Sequence, residues 1–206
     1  MNGETMIKLN IGCGSRPLEG FINVDQDDLK TLRRRYPNQV FSDTLIIENY
    51  NIFELPFGEG TVDNLNADGL LEHLSFKDEP RFLYEVHRVL KQGGTFDFSV
   101  PDFEKTCIAW LKAEDDWKDF FSDCPEAIQK NHWFGTNSYG YENRWGYITA
   151  TFYGSQNGKG QFHQNCYSKG KIRKMLAKVG FEVLKIEQFR WKTDRDFMLQ
   201  VNSKKK

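Results

Sequence analysis

Two histidines and one aspartate in this sequence are of types that can take a proton from a substrate at neutral pH: His73, His163 and Asp102. Each can act as a base only if the fold brings it to a reacting centre. A second set of residues suits the holding of a ligand. Gly12 and Gly14 follow the apolar run Ile7-Lys8-Leu9-Asn10-Ile11, and a glycine pair at that spacing lets the backbone turn sharply and approach a ligand where any Cβ would clash. Asp25 closes the next run, Phe21-Ile22-Asn23-Val24, and a carboxylate there can accept both hydroxyls of a ribose. Strand, glycine turn, strand and carboxylate, in that order, is how a Rossmann-like sheet holds a nucleoside cofactor.

The same segment argues against a dinucleotide. A third glycine would be needed where Pro17 stands, and Asp25 follows Gly14 sooner than the roughly 20 residues of the dinucleotide fingerprint. Residues 17–20 are therefore a turn, without the full helix amino terminus that a pyrophosphate needs. A nicotinamide-dependent oxidoreductase is disfavoured on both counts. No metal is expected, because no histidine and carboxylate stand at ligand spacing in the sequence. Cys13, Cys107, Cys124 and Cys166 are scattered without a Cys-x-x-Cys pair and read as free thiols.

Of the 206 residues, 28 are Lys or Arg and 29 are Asp or Glu, a balance that gives no polyanion-binding signal, so nucleic acid is not the expected partner. No apolar run approaches the roughly 20 residues of a membrane span, and Met1-Asn2-Gly3-Glu4-Thr5 lacks the features of a signal peptide. The expectation is one cytoplasmic domain over 1–206.

Apolar runs alternate with helical patterns through the first half, predicting an α/β fold with a mostly parallel sheet covered by helices on both faces. Strands are expected at 7–11, 21–24, within 44–50, at 61–67 and at 95–100. A helix over 27–36 carries Arg33-Arg34-Arg35, read as a solvated face. A second, over 78–91, places Phe82, Leu83, Val86 and Leu90 on one stripe and is expected to end at Gly93-Gly94. His87 on that helix reads as a packing or surface residue. Residues 104–167 break the alternation as an aromatic-rich insertion after strand five, with Trp110, Trp117, Trp133 and Trp145 holding four of the five tryptophans. These rings either form a private core or line a pocket. Ser168 caps a helix that Gly180 stops. Two final strands, 181–189 and 197–201, are joined directly, which makes the last strand of the seven-stranded sheet antiparallel. Residues 203–206 read as a disordered tail.

Five ordered pieces together resemble a class I S-adenosylmethionine-dependent methyltransferase, of the small type often encoded among sugar and surface-polysaccharide genes. They are Leu9 to Pro17, Asn23-Val24-Asp25, Leu55-Pro56-Phe57, Leu71-Glu72-His73-Leu74, and Glu85 to Gly94 followed by Ser99-Val100-Pro101-Asp102; Lys178 to Val183 adds a sixth. The resemblance covers most of the chain and implies S-adenosyl-L-methionine as cofactor. Gly12 and Gly14 would approach its methionyl part, Asp25 its ribose, and Asn51 with the backbone of Ile52 its adenine. Asn10, Cys13 and Arg16 of the turn, with Asp68 and His73 beyond strand four, complete the implied cofactor set. The family more often has Asp at the place of Asn51. A histidine before the last helix, here His163, resembles a feature of the sugar-modifying relatives.

The implied reaction is methyl transfer to an oxygen, less readily a nitrogen, of a sugar or other small polar metabolite. His163, His73 and Asp102 are the candidate bases. His73 reads equally well as packing against the cofactor or capping a loop. A catalytically silent S-adenosylmethionine-binding partner or sensor is the alternative that the same residues allow.

Overall fold

A computed structural model of the chain describes residues 6–112, 151–156, 160–190 and 197–206. Seven strands form one sheet: β1 (Lys8–Ile11), β2 (Ile22–Val24), β3 (Ile47–Glu48), β4 (Val62–Asn66), β5 (Leu90–Pro101), β6 (Phe181–Arg190) and β7 (Phe197–Lys205), in the order β3-β2-β1-β4-β5-β7-β6. Strands β3, β2, β1, β4 and β5 run parallel, and β7 lies antiparallel between β5 and β6.

Alternation along the strands decides what faces what. Leu9 and Ile11 of β1, Phe96, Phe98 and Val100 of β5, and Leu199 and Val201 of β7 are all buried in one core. That core is closed by helix α2 (Asp78–Val89) through Phe82, Leu83, Val86 and Val89, and by α4 (Lys169–Val179) through Ile172, Leu176 and Val179. Helix α1 (Leu29–Arg35) seals a smaller cluster, in which Leu32, Cys13 and Phe41 are buried with Tyr36 and Ile47 beside them. Helix α3 (Phe103–Lys112) leaves the end of β5.

Between the strands, side-chain amides form a ladder that fixes where the strand ends lie. Asn66 Nδ2 donates to Asn10 Oδ1 (2.9 Å), Asn10 Nδ2 donates to Asn23 Oδ1 (2.9 Å) and to the Arg16 carbonyl (3.0 Å), and Asn23 Oδ1 accepts from Leu18 N–H (2.8 Å). The turn after β1 is thus tied to β2 and β4 by groups that would each be costly to bury alone.

Several boundaries differ from the sequence reading for identifiable reasons. Helix α2 ends at Val89, before Gly93-Gly94, because Leu90 already pairs with Val62 in the sheet. The two glycines serve the strand: Gly93 has φ +75°, and a Cβ on Gly94 would lie 2.9 Å from the Lys91 carbonyl oxygen. Residues 203–206 are no loose tail. Ser203 Oγ donates to the Phe96 carbonyl (2.7 Å), Lys204 pairs with Thr95 and Glu182 across the sheet, and Lys205 Nζ donates to the His87 and Leu90 carbonyls (2.6 and 2.9 Å). The arginines of α1 are not simply solvated: Arg33 pairs with Asp43 at 2.6 Å and Arg35 with Asp27. Ser168 caps α4, accepting from Lys171 N–H at 3.2 Å, and Gly180 stops it with φ +98°. Most of the aromatic segment, including Trp117, Trp133 and Trp145, lies outside the described residues.

Candidate active site

A cavity of about 470 Å³ opens at the carboxyl ends of β1, β2, β3 and β4. Ligands of open parallel sheets bind at this edge, where loops meet and helix or turn N–H groups face the crevice. It is lined by the turn 12–16 after β1, Asp25 and Gln26 after β2, Arg35 and Tyr36 of the α1 end, Asn49 to Phe53 after β3, and Asp68, Gly69, Leu70 and His73 after β4. Gly160 and Gln161 reach it from the returning chain.

The turn has the backbone shape that its glycines predict. Gly12 has φ +69° and Gly14 φ +50°, and a Cβ on Gly12 would lie 3.0 Å from Leu70 Cδ1. Gly12 and Cys13 both donate to the Val24 carbonyl (2.8 and 3.1 Å), and Gly14 N–H donates to Asp25 Oδ2 (2.8 Å). Asp25 Oδ1 also accepts from Asp27 N–H (3.0 Å). Asn51 lines the cavity, with its side-chain oxygen accepting from Phe53 N–H at 3.0 Å; the second lone pair of that oxygen is still available to a ligand. The Cys13 thiol is buried, and burial together with the Asp25 carboxylate pushes its pKa up to about 12.

Arg16 lines the cavity wall, and Glu72, outside the lining, is buried next to His73. Burial lowers the Arg16 pKa while Asp68 and Glu72 support its charge. Glu72 is buried and desolvation raises it to about 8, against the pull of Arg16. Among the described residues, Asp68 Oδ1 and Glu72 Oε2 are buried without a hydrogen-bond partner. Unpaired buried oxygens are uncommon enough to point to a function.

His73 sits on this wall, in the single 3₁₀ turn Leu71–His73. Its Nδ1 donates to the Phe162 carbonyl (3.0 Å), and the His163 ring stands edge-on to it, with centroids 4.8 Å apart. His163 Nδ1 donates in turn to the Thr151 carbonyl at 2.7 Å. Burial is the first cause that lowers both histidines, taking His73 to about 4 with help from His163, so both rings are neutral at pH 7. The pair is held together by backbone bonds from Gln164 and Asn165 N–H to the Glu72 carbonyl (2.7 and 3.2 Å), and by Gln164 Nε2 to the His73 carbonyl (2.9 Å).

Three expected site residues fall outside the cavity lining. Asp102 is buried, caps α3 by accepting from Lys105 N–H (3.1 Å), and bridges to Tyr167, so its carboxylate holds a helix and does not line the cavity. Asn10 is 2% exposed and belongs to the amide ladder, supporting the turn from below. His163 is not a cavity-lining residue but backs His73. Tyr36, Arg35, Gln26 and Phe53 line the cavity without having been singled out in the sequence. The acidic partner of Arg35, Asp27, was the available clue. No histidine and carboxylate stand at ligand spacing in the sequence, yet the fold brings one ligand atom from each of Glu72, His73 and His163 within 4.8 Å of the other two. Cys13, Cys107 and Cys166 are free thiols, and Cys124 lies outside the described residues.

The motifs that carried the family resemblance have structural reasons. Arg88 donates to Glu85 through Nε (2.8 Å) and Nη2 (2.7 Å), and also to the Phe57 (2.9 Å) and Leu55 (3.1 Å) carbonyls, while Glu85 accepts Leu55 N–H. The Glu-x-x-Arg pair of α2 therefore clamps the Leu55-Pro56-Phe57 loop.

The chain is an α/β protein with a Rossmann-like methyltransferase fold. Residues 9–98 match the family model described as "Methyltransferase domain". The demethylmenaquinone methyltransferase of Symbiobacterium thermophilum is 29% identical over 75 residues, which cover 36% of this chain and 29% of that relative, so the match spans under a third of its length. Among solved structures, Burkholderia thailandensis 1,6-didemethyltoxoflavin-N1-methyltransferase, crystallised with 1,6-didemethyltoxoflavin and S-adenosylhomocysteine, superposes with a TM-score of 0.56 at 15% identity, covering 98% of this chain and 72% of that one. The magnesium protoporphyrin IX methyltransferase of Synechocystis, with bound S-adenosylhomocysteine, gives 0.54 at 10% identity, covering 100% and 76%. Among the described residues no helix is long and apolar enough to cross a membrane.

Proposed function

We propose that the protein is an S-adenosylmethionine-dependent methyltransferase that methylates an oxygen of a small polar metabolite of the sugar class. The observation that carries the reading is the conjunction, at one cavity, of the positive-φ turn Gly12 to Gly14 with the Asp25 carboxylate at the end of β2. The residues fit the cofactor. Gly12 and Gly14 hold the turn at positive φ where it lines the cavity, so its backbone can face a ligand, and Asp68 Oδ1 offers an unpartnered acceptor for an ammonium group. Arg16 is the cation for a carboxylate, Asp25 accepts the ribose hydroxyls, and Asn51, Ile52 and Phe53 flank the adenine. That both solved structures compared above hold S-adenosylhomocysteine supports the same ligand.

S-adenosylmethionine, when bound, supplies a methyl group already activated on a sulfonium. The chain's own task is to hold the acceptor in line with it, and orientation of that kind removes several kcal/mol of barrier, about 7 in favourable cases. His73, neutral and on the wall, takes the proton that the acceptor oxygen loses, with His163 holding its ring. Calorimetric titration of the purified protein with S-adenosylhomocysteine tests the cofactor, and release of that product from S-adenosylmethionine across a panel of hydroxylated metabolites tests the acceptor. Folded protein that gives no heat at high micromolar ligand overturns the reading.

A further inference from the structure

Glu72, His73 and His163 meet although the first two lie 91 and 90 residues from the third in the sequence, and three features of their meeting belong together. Each offers one ligand atom, and these atoms lie within 4.8 Å of one another. Both imidazoles spend Nδ1 on a backbone carbonyl, the Phe162 oxygen at 3.0 Å and the Thr151 oxygen at 2.7 Å. A carbonyl only accepts, so Nδ1 carries the proton on each ring and Nε2 carries a lone pair. The Glu72 side chain is 4% exposed and its Oε2 is buried without a partner.

The Glu72 carboxyl group converges with the two imidazoles, and its buried Oε2 finds no hydrogen-bond partner among the described residues, so the corner can take up a cation. Nδ1–H bonded to a carbonyl is also the arrangement that fixes tautomer and ring orientation in histidines that ligate metals through Nε2. The surrounding backbone holds the geometry: Gln164 and Asn165 N–H both donate to the Glu72 carbonyl, clamping the 3₁₀ turn to the strip that carries His163. Arg16 and Asp68 are the other charged groups that Glu72 feels, and they act in opposite directions.

From this geometry we infer that Glu72, His73 and His163 form a binding site for one divalent transition-metal ion of the zinc type, on the wall of the cavity. Two neutral imidazoles and one carboxylate suit Zn²⁺, Co²⁺ or Ni²⁺ and not Mg²⁺, which prefers an all-oxygen octahedron. A tetrahedral ion about 2.1 Å from each ligand would hold the three atoms about 3.4 Å apart, inside the 4.8 Å that now bounds them. Three protein ligands would leave the fourth position of a tetrahedral ion open, and one of the three, His73, lines the cavity. If the methyltransferase reading holds, an acceptor hydroxyl bound to the ion would be acidified and pass its proton to bulk water, His73 then serving as a ligand in place of the base; the metal site itself does not depend on that reading.

The test is titration of the metal-stripped chain with Zn²⁺ and, separately, Co²⁺, with S-adenosylhomocysteine binding measured on the same samples. One equivalent of Zn²⁺ bound at micromolar or tighter affinity, and a Co²⁺ spectrum without a thiolate charge-transfer band, are expected, with Mg²⁺ failing to compete. His163→Ala and Glu72→Gln should each weaken Zn²⁺ by at least about 100-fold, since loss even of an outer partner of a metal ligand costs 10- to 100-fold. Wild-type protein that binds no stoichiometric Zn²⁺ overturns the site, whatever the variants do. So does binding that survives His163→Ala, or a thiolate band that assigns the metal to a cysteine. Zn²⁺ binding without S-adenosylhomocysteine binding would overturn the proposed function and leave this site standing; the converse would do the opposite.

Discussion

The Gly14 N–H donates to Asp25 Oδ2 at 2.8 Å, joining the turn after β1 to the carboxylate after β2. One acidic side chain therefore both shapes the cradle and faces the ligand. Asp25→Asn keeps an oxygen for the Gly14 N–H and removes the charge, and charged hydrogen bonds are worth about 1.5–3 kcal/mol. The variant should fold and bind S-adenosylhomocysteine about 10- to 100-fold more weakly by calorimetry. Unchanged affinity would place the ribose elsewhere.

Gly12→Ala should be harmful for a separate reason. Its φ of +69° costs an L-residue roughly 1–2 kcal/mol, and the new methyl would press on Leu70 Cδ1 at 3.0 Å. Pairing it with Leu70→Ala relieves the contact but not the dihedral strain. Thermal denaturation should show the double variant still less stable than Leu70→Ala alone.

The glycine turn and Asp25 were legible because they are local: a β-strand ends, the chain must reverse, and the next strand end lies beside it. The Leu55-Pro56-Phe57 loop was visible as a motif, but its reason, the Arg88 and Glu85 clamp, is a contact across about thirty residues. What could not be read were pairings that only the folded sheet creates. Residues 203–205 have the polarity of a tail, yet Ser203 Oγ finds the Phe96 carbonyl and Lys205 finds carbonyls at the end of α2. Glu72, His73 and His163 failed a spacing test for the same reason, since backbone bonds from Gln164 and Asn165 bring them together. Asp102 misled in the opposite direction, because its place after β5 suggested the crevice while its carboxylate satisfies the first turn of α3.

Arg88→Lys tests the clamp. Lysine keeps the charge beside Glu85 but cannot supply the planar set of donors that also reaches the Leu55 and Phe57 carbonyls. A loss of about 1–2 kcal/mol in urea denaturation is expected, from the carbonyl bonds that go unmade. Arg88→Ala should cost more, because it also leaves the mostly buried Glu85 carboxylate without its cation. Equal stability of all three proteins would mean that the loop is held by packing alone.

Cys13 and Cys166 should react very differently. The thiolate is the nucleophile, and with its pKa raised to about 12 the Cys13 thiol is protonated at pH 8 as well as buried; only above about pH 12 would its thiolate dominate in the folded protein. Cys166 is exposed. Brief iodoacetamide treatment at pH 8, read by peptide mass spectrometry, should label Cys166 and spare Cys13 until denaturant is added. Early labelling of Cys13 in folded protein would mean that the turn opens readily.

Tyr167 links the returning chain to the site without touching the cavity. Its hydroxyl donates to Glu79 Oε1 at 2.6 Å and lies 3.1 Å from the Leu71 carbonyl, at the start of the 3₁₀ turn that carries Glu72 and His73. Glu79 also accepts from Asn165 Nδ2 and Lys171 Nζ, both at 2.9 Å, and Lys171 Nζ lies 4.1 Å from the centre of the Tyr167 ring. Tyr167→Phe keeps the ring and its packing but removes the shared hydroxyl, leaving a buried acceptor short of one donor. The cost should be about 1–3 kcal/mol by denaturant melt. Because Asp25 and the glycine turn lie on other strands, S-adenosylhomocysteine affinity should fall by less than in Asp25→Asn. A variant that keeps full stability but loses cofactor binding would instead make Tyr167 part of the ligand site.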